Sequence, residues 1–317
     1  MEIEETKQSN SNIVDSGKGE LNESLPWVEK YRPSDLDNII SQNDIISTIK
    51  QFIDGKKLPH LLFYGPPGTG KTTTIMACAK LLYGSSHSNM ILELNASDDR
   101  GIDVVRDQIK NFAGTQKLFS NGIKLIILDE ADNMTNAAQF ALRRIIERYS
   151  QNTRFCLICN YVSEIIPALQ SRCTRFRFQP LDSNLIKERL MYIIQQEQLE
   201  YTTDGVDALL DLAHGDMRRV INILQVGVLA TAMAYGTITG EHVYQSAGAP
   251  SPGDMEFVLK TLMNKPFTEA LQQVQNIKET KRFALQDILT ELVKRLQEIQ
   301  FPPSAQIMLY KELAELE

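Results

Sequence analysis

Eight consecutive residues have the types and spacing of a phosphate-binding loop. The pattern is a glycine, four residues, and then Gly-Lys-Ser/Thr; here it is filled by Gly65, Pro66, Pro67, Gly68, Thr69, Gly70, Lys71 and Thr72, with Thr73 following. In such a loop the glycines let backbone N–H groups approach phosphate oxygens, the lysine reaches the β- and γ-phosphates, and the Thr72 hydroxyl is a ligand for Mg²⁺. The sequence therefore predicts that the chain binds ATP together with Mg²⁺.

Two acidic residues further along the chain could complete a catalytic site. Residues 125–128 are apolar and are followed by Asp129 and Glu130. Asp129 would hold Mg²⁺ through water, and Glu130 would polarise the water that attacks the γ-phosphate. Two alternatives remain open for the run Asp-Glu-Ala-Asp at residues 129–132: an ordinary turn at the end of a strand, or a DEAD-box helicase, which needs a second RecA-like domain.

An amide and a pair of arginines are further candidates for contact with the γ-phosphate. Asn160 follows the apolar run at residues 155–159, where its amide could bridge the phosphate and the lytic water or simply terminate a strand. Arg218 and Arg219 follow Asp216, the predicted N-cap of a long helix. Two cations in a first helical turn oppose the helix dipole, so a nearby anion would stabilise them.

These residues require a scaffold of alternating strands and helices. Apolar runs predict strands at residues 61–64, 91–95, 125–129 and 154–159, and alternation of basic and apolar residues predicts an edge strand at 171–178. Helical spacing lies between them, at residues 72–82, 102–112 and 136–149. Strands that alternate with helices predict an α/β fold with a parallel sheet. Cys156 and Cys159 would face opposite sides of their strand, which argues against a shared metal.

The chain divides into segments of different character. Residues 1–24 carry six acidic residues against two lysines, and so −4 of the net charge of −7; we expect them to be disordered. Residues 25–180 form the predicted ATPase domain, 181–247 a helical lid, 248–253 a linker, and 254–317 an all-α domain of about four helices. Residues 25–33 are predicted to be an extended segment in which Val28 and Arg32 either only pack or also contact nucleotide.

Composition excludes several classes of protein. A net charge of −7 argues against a protein that coats nucleic acid through bulk charge. No run approaches the ~18 apolar residues of a membrane span, so we expect no membrane partner. Four scattered cysteines are typical of a reducing compartment.

Five short stretches together resemble the AAA+ clamp-loader small subunits of eukaryotic replication factor C. They are Trp-Val-Glu-Lys-Tyr-Arg-Pro at residues 27–33, Asn-Ala-Ser-Asp-Asp-Arg-Gly at 95–101, Asp-Glu-Ala-Asp at 129–132, Ser-Arg-Cys at 171–173 and Gly-Asp-Met-Arg at 215–218. The resemblance runs from residue 25 to the end of the chain. It implies an AAA+ P-loop sheet with a helical lid and a C-terminal collar domain. Because the amphipathic pattern still continues at Glu317, we expect a shortened form of a longer family member.

The resemblance also implies roles for individual residues. Asn160 and Arg218 match the family's two sensors, and Arg172 matches an arginine finger that reaches a neighbouring subunit's ATP. Arg100 and Arg106 match residues that contact template-strand phosphates, with Arg175 as a weaker candidate. Contacts with phosphates position a protein on DNA but do not depend on the base sequence.

The partners implied by the resemblance are the other replication factor C subunits in a hetero-pentamer, primer-template DNA, and the sliding clamp PCNA, held near residues 113–120. The expected location is the nucleus, and the expected activity is ATP-driven loading of PCNA during DNA replication and repair.

A third alternative is a non-enzymatic subunit in which bound ATP only stabilises the structure. The intact Lys71, Asp129 and Glu130 argue against this alternative.

Overall fold

The computed structural model describes residues 25–40, 42–55, 57–84, 87–96, 102–115, 122–232 and 237–316. Contacts between Cα atoms divide the chain into two compact units. The first unit contains the residues up to Glu197 together with residues 212–222, and the second contains residues 198–211 and 223–317. The predicted acidic tail, residues 1–24, lies outside the described residues.

The first unit is built on a five-stranded sheet in which all strands are parallel. The strands are β1 Leu61–Tyr64, β2 Ile91–Asn95, β3 Lys124–Asp129, β4 Thr153–Cys159 and β5 Thr174–Arg177, in the spatial order β2-β3-β4-β1-β5. This confirms the predicted α/β fold and the edge position of β5. In this order β1 lies beside β4, and β4 beside β3, so the loops that follow these strands meet at one edge of the sheet.

Helices cover the sheet and make up most of the remaining chain. Their bounds are α1 Trp27–Lys30, α2 Asn43–Asp54, α3 Lys71–Tyr83, α4 His87–Met90, α5 Ile102–Gly114, α6 Asn136–Tyr149, α7 Pro167–Gln170, α8 Ser183–Gln196, α9 Thr203–Ala213, α10 Met217–Ala232, α11 Gly240–Ala247, α12 Pro252–Asn264, α13 Phe267–Lys281, α14 Leu285–Glu298 and α15 Pro303–Leu316. Short 3₁₀ turns lie at Leu36–Asn38, Ala131–Asn133 and Val162–Glu164.

One local prediction near the N-terminus is wrong. Residues 27–30 form a helical turn rather than an extended segment. The carbonyl of Pro26 accepts the N–H groups of Glu29 and Lys30, each at 2.9 Å, and this closes the turn. A proline just before a first helical turn costs little because the N–H groups at that end have no intrahelical acceptor.

The sheet separates two apolar cores. One contains Phe63, Phe178 and Cys156, and the other contains Phe155 and Cys159. The two cysteines therefore face opposite sides of the sheet, as their spacing predicts. Burial raises the pKa of the Cys159 thiol to about 12 and raises that of Cys156 well above its usual value.

The second unit contains structure that periodicity did not predict. A parallel two-stranded sheet pairs β6 Glu200–Tyr201 with β7 Thr237–Ile238, so the expectation of helices throughout residues 181–317 is wrong at these points. Two-residue strands are too short to show a period of two. The four predicted C-terminal helices are present as α12–α15, and Met255, Ile288 and Leu292 are among the residues of their core. Among the described residues, none of the helices combines the length and apolarity that crossing a bilayer requires.

The start of α12 also differs from the sequence prediction. The helix begins at Pro252, inside the predicted linker. Ser251 and Asp254 form a reciprocal capping box: the Ser251 hydroxyl accepts the Asp254 N–H at 3.3 Å, and the Asp254 carboxylate accepts the Ser251 N–H at 3.4 Å. A proline at the first helical position suits this cap.

A half-buried histidine next to β1 should make the free energy of unfolding depend on pH. The His60 Nδ1 accepts the Phe155 N–H at 3.2 Å, and burial, with a contribution from Arg154, lowers the pKa of His60 to about 4. Between that value and the unfolded pKa of 6.5, the unfolded chain binds a proton that the folded chain does not. Because the imidazole is partly exposed, solvent screening reduces this contribution, and we expect the free energy of unfolding to fall by about 1 kcal/mol on this account from about pH 7 to about pH 5.

Denaturant unfolding of the wild-type chain and of His60→Asn at both pH values measures this contribution. The asparagine carbonyl can still accept the Phe155 N–H but does not titrate. An equal pH-dependence in the two proteins would contradict the prediction.

Candidate active site

The phosphate loop connects β1 to α3 and contains three glycines with positive φ; at Gly65, with φ +144°, a Cβ would lie 2.1 Å from the Phe178 carbonyl oxygen. Gly68 has φ +68°, and a Cβ there would lie 1.6 Å from the Asp216 Oδ1. Gly70 has φ +90° and precedes the first turn of α3, where a Cβ would meet no atom within 4 Å. The loop therefore presents an open approach to the N-terminus of α3, the arrangement that binds phosphate.

Lys71 is buried at the start of α3. Its Nζ donates to the carbonyl oxygens of Gly65 at 2.6 Å and Pro66 at 2.8 Å, and to the Asn160 Oδ1 at 3.0 Å. Burial lowers the pKa of Lys71, and the carboxylates of Asp129 and Asp132 oppose that shift. Since its three hydrogen-bond acceptors are uncharged, the ammonium charge is suited to bind an anion in the adjoining cavity.

A hydroxyl and a carboxylate meet beside Lys71. The Thr72 Oγ1 donates to the Asp129 Oδ2 at 2.7 Å, and the Asp129 Oδ1 accepts the Glu130 N–H at 2.9 Å. Hydroxyl and carboxylate oxygens are the ligands that Mg²⁺ prefers. The donor set of this pair therefore fits Mg²⁺.

Glu130 has an unusual backbone conformation. Its φ is +54°, in the left-handed region, which is strained for a residue with a side chain. Such outliers are frequent at active sites. The Glu130 side chain is half-buried, its Oε2 accepts from the Asn133 Nδ2 at 3.3 Å, and it lines the same cavity as Lys71.

A cavity of about 260 Å³ brings most of the predicted residues together. The predicted residues that line it are Val28, Arg32, Pro67, Gly68, Thr69, Gly70, Lys71, Thr72, Thr73, Asp129, Glu130, Asn160 and Arg218. Gly65 and Pro66 do not line it but contact Lys71 through their carbonyls. All of these residues belong to the first compact unit.

The cavity also has an apolar wall that sequence reasoning missed. Its additional lining residues include Tyr31, Ile39, Ile40, Leu181, Arg189, Met217 and Ile221. Met217 and Tyr31 lie inside motifs already noted, next to Arg218 and Arg32. Their positions in those motifs could have indicated that they line the site. The others come from separate segments with no local pattern. An apolar wall beside a phosphate loop is suited to a nucleobase.

The N-terminal segment at this wall is attached at two points, to Arg189 of α8 and to Glu197, which follows α8. The Arg189 Nη2 donates to the carbonyl of Tyr31 at 2.9 Å. The Glu197 Oε1 accepts from the Lys30 Nζ at 2.6 Å and also from the Tyr31 hydroxyl. Burial raises the pKa of Tyr31 and is reinforced by the Glu197 carboxylate. This cluster fixes the position of residues 28–33 against the cavity.

The start of α10 places Arg218 at the cavity. The Asp216 Oδ1 accepts the N–H groups of Arg218 at 2.8 Å and Arg219 at 3.2 Å, which confirms Asp216 as the N-cap. The Met217 N–H lies 3.4 Å from the Gly68 carbonyl. The phosphate loop and the helix that carries Arg218 are therefore in direct contact.

Arg172 lies apart from this cavity. It follows α7 and donates to the Ala168 carbonyl at 2.6 Å and to the Glu147 carboxylate. Hydrogen bonds from Arg143 and Arg172 lower the pKa of Glu147. The side chain of Arg172 is 30% exposed, so it is accessible from outside the chain.

The predicted nucleic-acid contacts are only partly within the described residues. Arg100 lies outside them, as does the side chain of Arg106 in α5. Arg175 is exposed on the edge strand β5, where its Nη1 lies 3.4 Å from the Gln170 Oε1. Most of the segment expected to hold PCNA, residues 116–120, is also outside the described part of the chain.

Two family models match the chain. The "ATPase family associated with various cellular activities (AAA)" matches residues 61–181, and the "Replication factor C C-terminal domain" matches residues 250–317.

Full-length relatives agree with these matches. Replication factor C subunit 5 of Homo sapiens is 53% identical over 93% of this chain and 86% of its own length. Replication factor C subunit 3 of Schizosaccharomyces pombe is 52% identical over 93% of this chain and 85% of its own length. Among solved structures, the RuvB Holliday junction branch migration motor of Thermotoga maritima has a TM-score of 0.55 at 16% identity, covering 82% of this chain and 91% of that one, which is a similarity of fold.

Proposed function

The chain belongs to the replication factor C subunits, clamp-loader ATPases of the AAA family, and we propose that its cavity binds ATP with Mg²⁺ and hydrolyses ATP in the assembled hetero-pentamer. The observation that carries this proposal is the convergence of Lys71, Thr72, Asp129 and Glu130 on one cavity with an apolar wall. Hydrolysis would drive the loading of PCNA onto primer-template DNA.

The polar residues divide the binding of the triphosphate between them. Lys71 supplies a buried ammonium for the β- and γ-phosphates, and the N-terminus of α3 supplies N–H groups. Thr72 and Asp129 would hold Mg²⁺, which when bound neutralises charge on the phosphate oxygens. Val28 and Met217 belong to the wall against which the base would pack.

Three further residues would act on the γ-phosphate. Glu130 would orient and polarise the attacking water as a general base. Asn160 would report on the γ-phosphate from the end of β4, where its Oδ1 already contacts Lys71. Arg218 lines the cavity from the first turn of α10 and would contribute positive charge.

Phosphoryl transfer commonly uses one further element besides the residues that line this cavity. An arginine that stabilises transition-state charge is often donated by a neighbouring protein. Arg172 is the candidate, because it is accessible and does not line the cavity of its own chain. We therefore assign Arg172 to the ATP site of the adjacent subunit.

The nucleic-acid and clamp partners rest on family membership and on residue positions in the sequence. Arg100, Arg106 and Arg175 would contact DNA phosphates, and the exposure of Arg175 is consistent with such a role. PCNA would bind near residues 113–120. Since DNA replication and repair take place in the nucleus, we propose that the protein acts there.

The helicase alternative finds no support. Beyond residue 181, the described residues form helices and one two-stranded sheet, with no second phosphate-loop sheet among them. The family match to AAA ATPases covers the run Asp-Glu-Ala-Asp itself.

The proposed function is tested by reconstitution with the other subunits. We expect this chain to co-purify with them and with PCNA, and the ATPase activity of the complex to rise with PCNA and primer-template DNA. Lys71→Ala should remove ATP binding at this site, whereas Lys80→Ala, an exposed lysine on the same helix, should not. Brisk hydrolysis by the isolated chain, indifferent to these partners, would contradict the proposal.

The attachment of the N-terminal segment gives a prediction about affinity. Glu197→Gln removes the charge that holds Lys30 and Tyr31, so the segment that lines the cavity should loosen. We expect the dissociation constant for ATP to rise by about three- to tenfold, the effect of a partly buried charged hydrogen bond.

Titration with a fluorescent ATP analogue measures this change. Glu188→Gln, an exposed glutamate on α8, is the matched control. Equal affinities in the two variants would show that the cluster does not position the segment.

A further inference from the structure

The last acidic residue of the run 129–132 has no part in the mechanism above. Asp132 lies in the 3₁₀ turn Ala131–Asn133 that follows β3. Its Oδ2 accepts two main-chain N–H groups, from Asn160 at 2.9 Å and from Tyr161 at 3.1 Å. A single carboxylate oxygen thus joins the turn after β3 to the turn after β4.

Packing does little to hold the residues that Asp132 contacts. Asn160 and Tyr161 are both exposed, whereas Cys159 just before them is buried. The chain leaves the sheet at this point, and the next buried side chain is that of Ile165. The two hydrogen bonds to a charged acceptor are therefore a main restraint on the backbone of Asn160.

Asn160, which Asp132 restrains, is itself in contact with the phosphate loop. The Asn160 Oδ1 accepts from the Lys71 Nζ at 3.0 Å. Two hydrogen bonds in series connect Asp132 with the buried ammonium. Displacement of the Asn160 backbone would move its amide away from Lys71.

The other carboxylate oxygen of Asp132 lowers the stability of the fold. The Oδ1 is buried and has no hydrogen-bond partner in the part of the chain that the structure describes. A buried acceptor without a partner destabilises a fold, and such groups call for an explanation. A need for the two hydrogen bonds that Oδ2 accepts would explain why an aspartate stands at this position.

We propose that Asp132 is a positioning residue for Asn160, which it holds at the γ-phosphate end of the cavity through the two main-chain hydrogen bonds. This inference rests on the proposed function, because Asn160 matters only if ATP is hydrolysed there. Asp132 touches neither ATP nor water in this role and acts through Asn160. Its loss should therefore slow hydrolysis more than it weakens ATP binding.

A double-mutant cycle in the assembled complex tests the proposal. Asp132→Ala and Asn160→Ala should each lower kcat at this site by about ten- to a hundredfold, the value of a hydrogen bond to a charged group, with a smaller change in KM. The double variant should be no slower than Asn160→Ala alone. Asp132→Asn should recover most of the activity, since its carbonyl can accept both N–H groups.

The controls separate this inference from the proposed function. Asp37→Ala alters another aspartate in a 3₁₀ turn, one that does not line the cavity, and should leave kcat unchanged. If Asp132→Ala fails to assemble, Asp132→Glu replaces it in the cycle, because the extra methylene displaces the oxygens and keeps the charge. Additive effects of the two substitutions, or no rescue by asparagine, would overturn the role of Asp132. Absence of hydrolysis in the wild-type complex would instead overturn the proposed function.

Discussion

Glu130→Gln is expected to slow ATP hydrolysis at this site by about a hundredfold or more, the usual contribution of a general base, and to leave ATP affinity near the wild-type value. The amide keeps the shape of the side chain and can still accept from Asn133. It cannot take up a proton from the attacking water. Binding depends instead on Lys71 and Thr72, which the substitution does not touch.

The measurement requires the assembled complex with substituted phosphate-loop lysines in the other subunits, so that only this site turns over. Single-turnover hydrolysis gives the rate, and nucleotide titration gives the affinity. Glu164→Gln, an exposed glutamate in the 3₁₀ turn after β4, is the matched control. An unchanged rate in Glu130→Gln would exclude Glu130 as the general base, and a large loss of affinity would assign it to binding.

The polar half of the site could be predicted because its residues are contiguous in sequence. Lys71 and Thr72 stand together in one loop, and Asp129 and Glu130 stand together at the end of an apolar run. Parallel strands bring their carboxyl ends to one edge of a sheet, so the sequence order of motifs is enough to bring them together. Asn160 at the end of β4 follows by the same rule.

The apolar half could not be predicted in this way. Ile39, Leu181 and Ile221 come from three segments, each of which has an ordinary apolar residue at that position. Their shared location depends on how the N-terminal segment and the start of α10 lie beside the phosphate loop. Periodicity indicates which face of an element is buried but not which distant element covers it.

Ion pairs between distant segments are hidden for the same reason. Glu197 holds Lys30 across a separation of 167 residues, and nothing in either local sequence predicts the pair.

The helical turn at Trp27–Lys30 was missed because two prolines suggested extended backbone, whereas one of them begins the turn. Sequence patterns therefore failed to predict the structure where it depends on the hydrogen bonds of a single turn or on tertiary packing.

Arg172→Ala is expected to slow ATP hydrolysis at the neighbouring subunit by about a thousandfold or more, the range of arginine fingers. The guanidinium would stabilise charge on the γ-phosphate in the transition state only. Its present partner Glu147 is 43% exposed, so the ion pair that holds it is weak and the guanidinium can be redirected to a phosphate at low cost.

Complexes that carry Arg172→Ala in this chain alone provide the measurement. Hydrolysis is followed separately at this chain's site and at its neighbour's, again by substitution of the other phosphate-loop lysines. Arg177→Ala, an exposed arginine on β5, is the control for loss of a surface cation. Arg172→Lys should recover little, because an ammonium lacks the planar fork of guanidinium donors.

The location of the defect decides between two arrangements of the site. Arg172 does not line the cavity that contains Lys71, so its effect should fall on the neighbour's ATP and spare its own. A loss confined to this chain's own site would contradict the assignment in trans. A loss confined to the neighbour would mean that catalysis requires an interface between subunits, because Lys71, Asp129 and Glu130 gather the triphosphate, metal and water while the final positive charge comes from another chain.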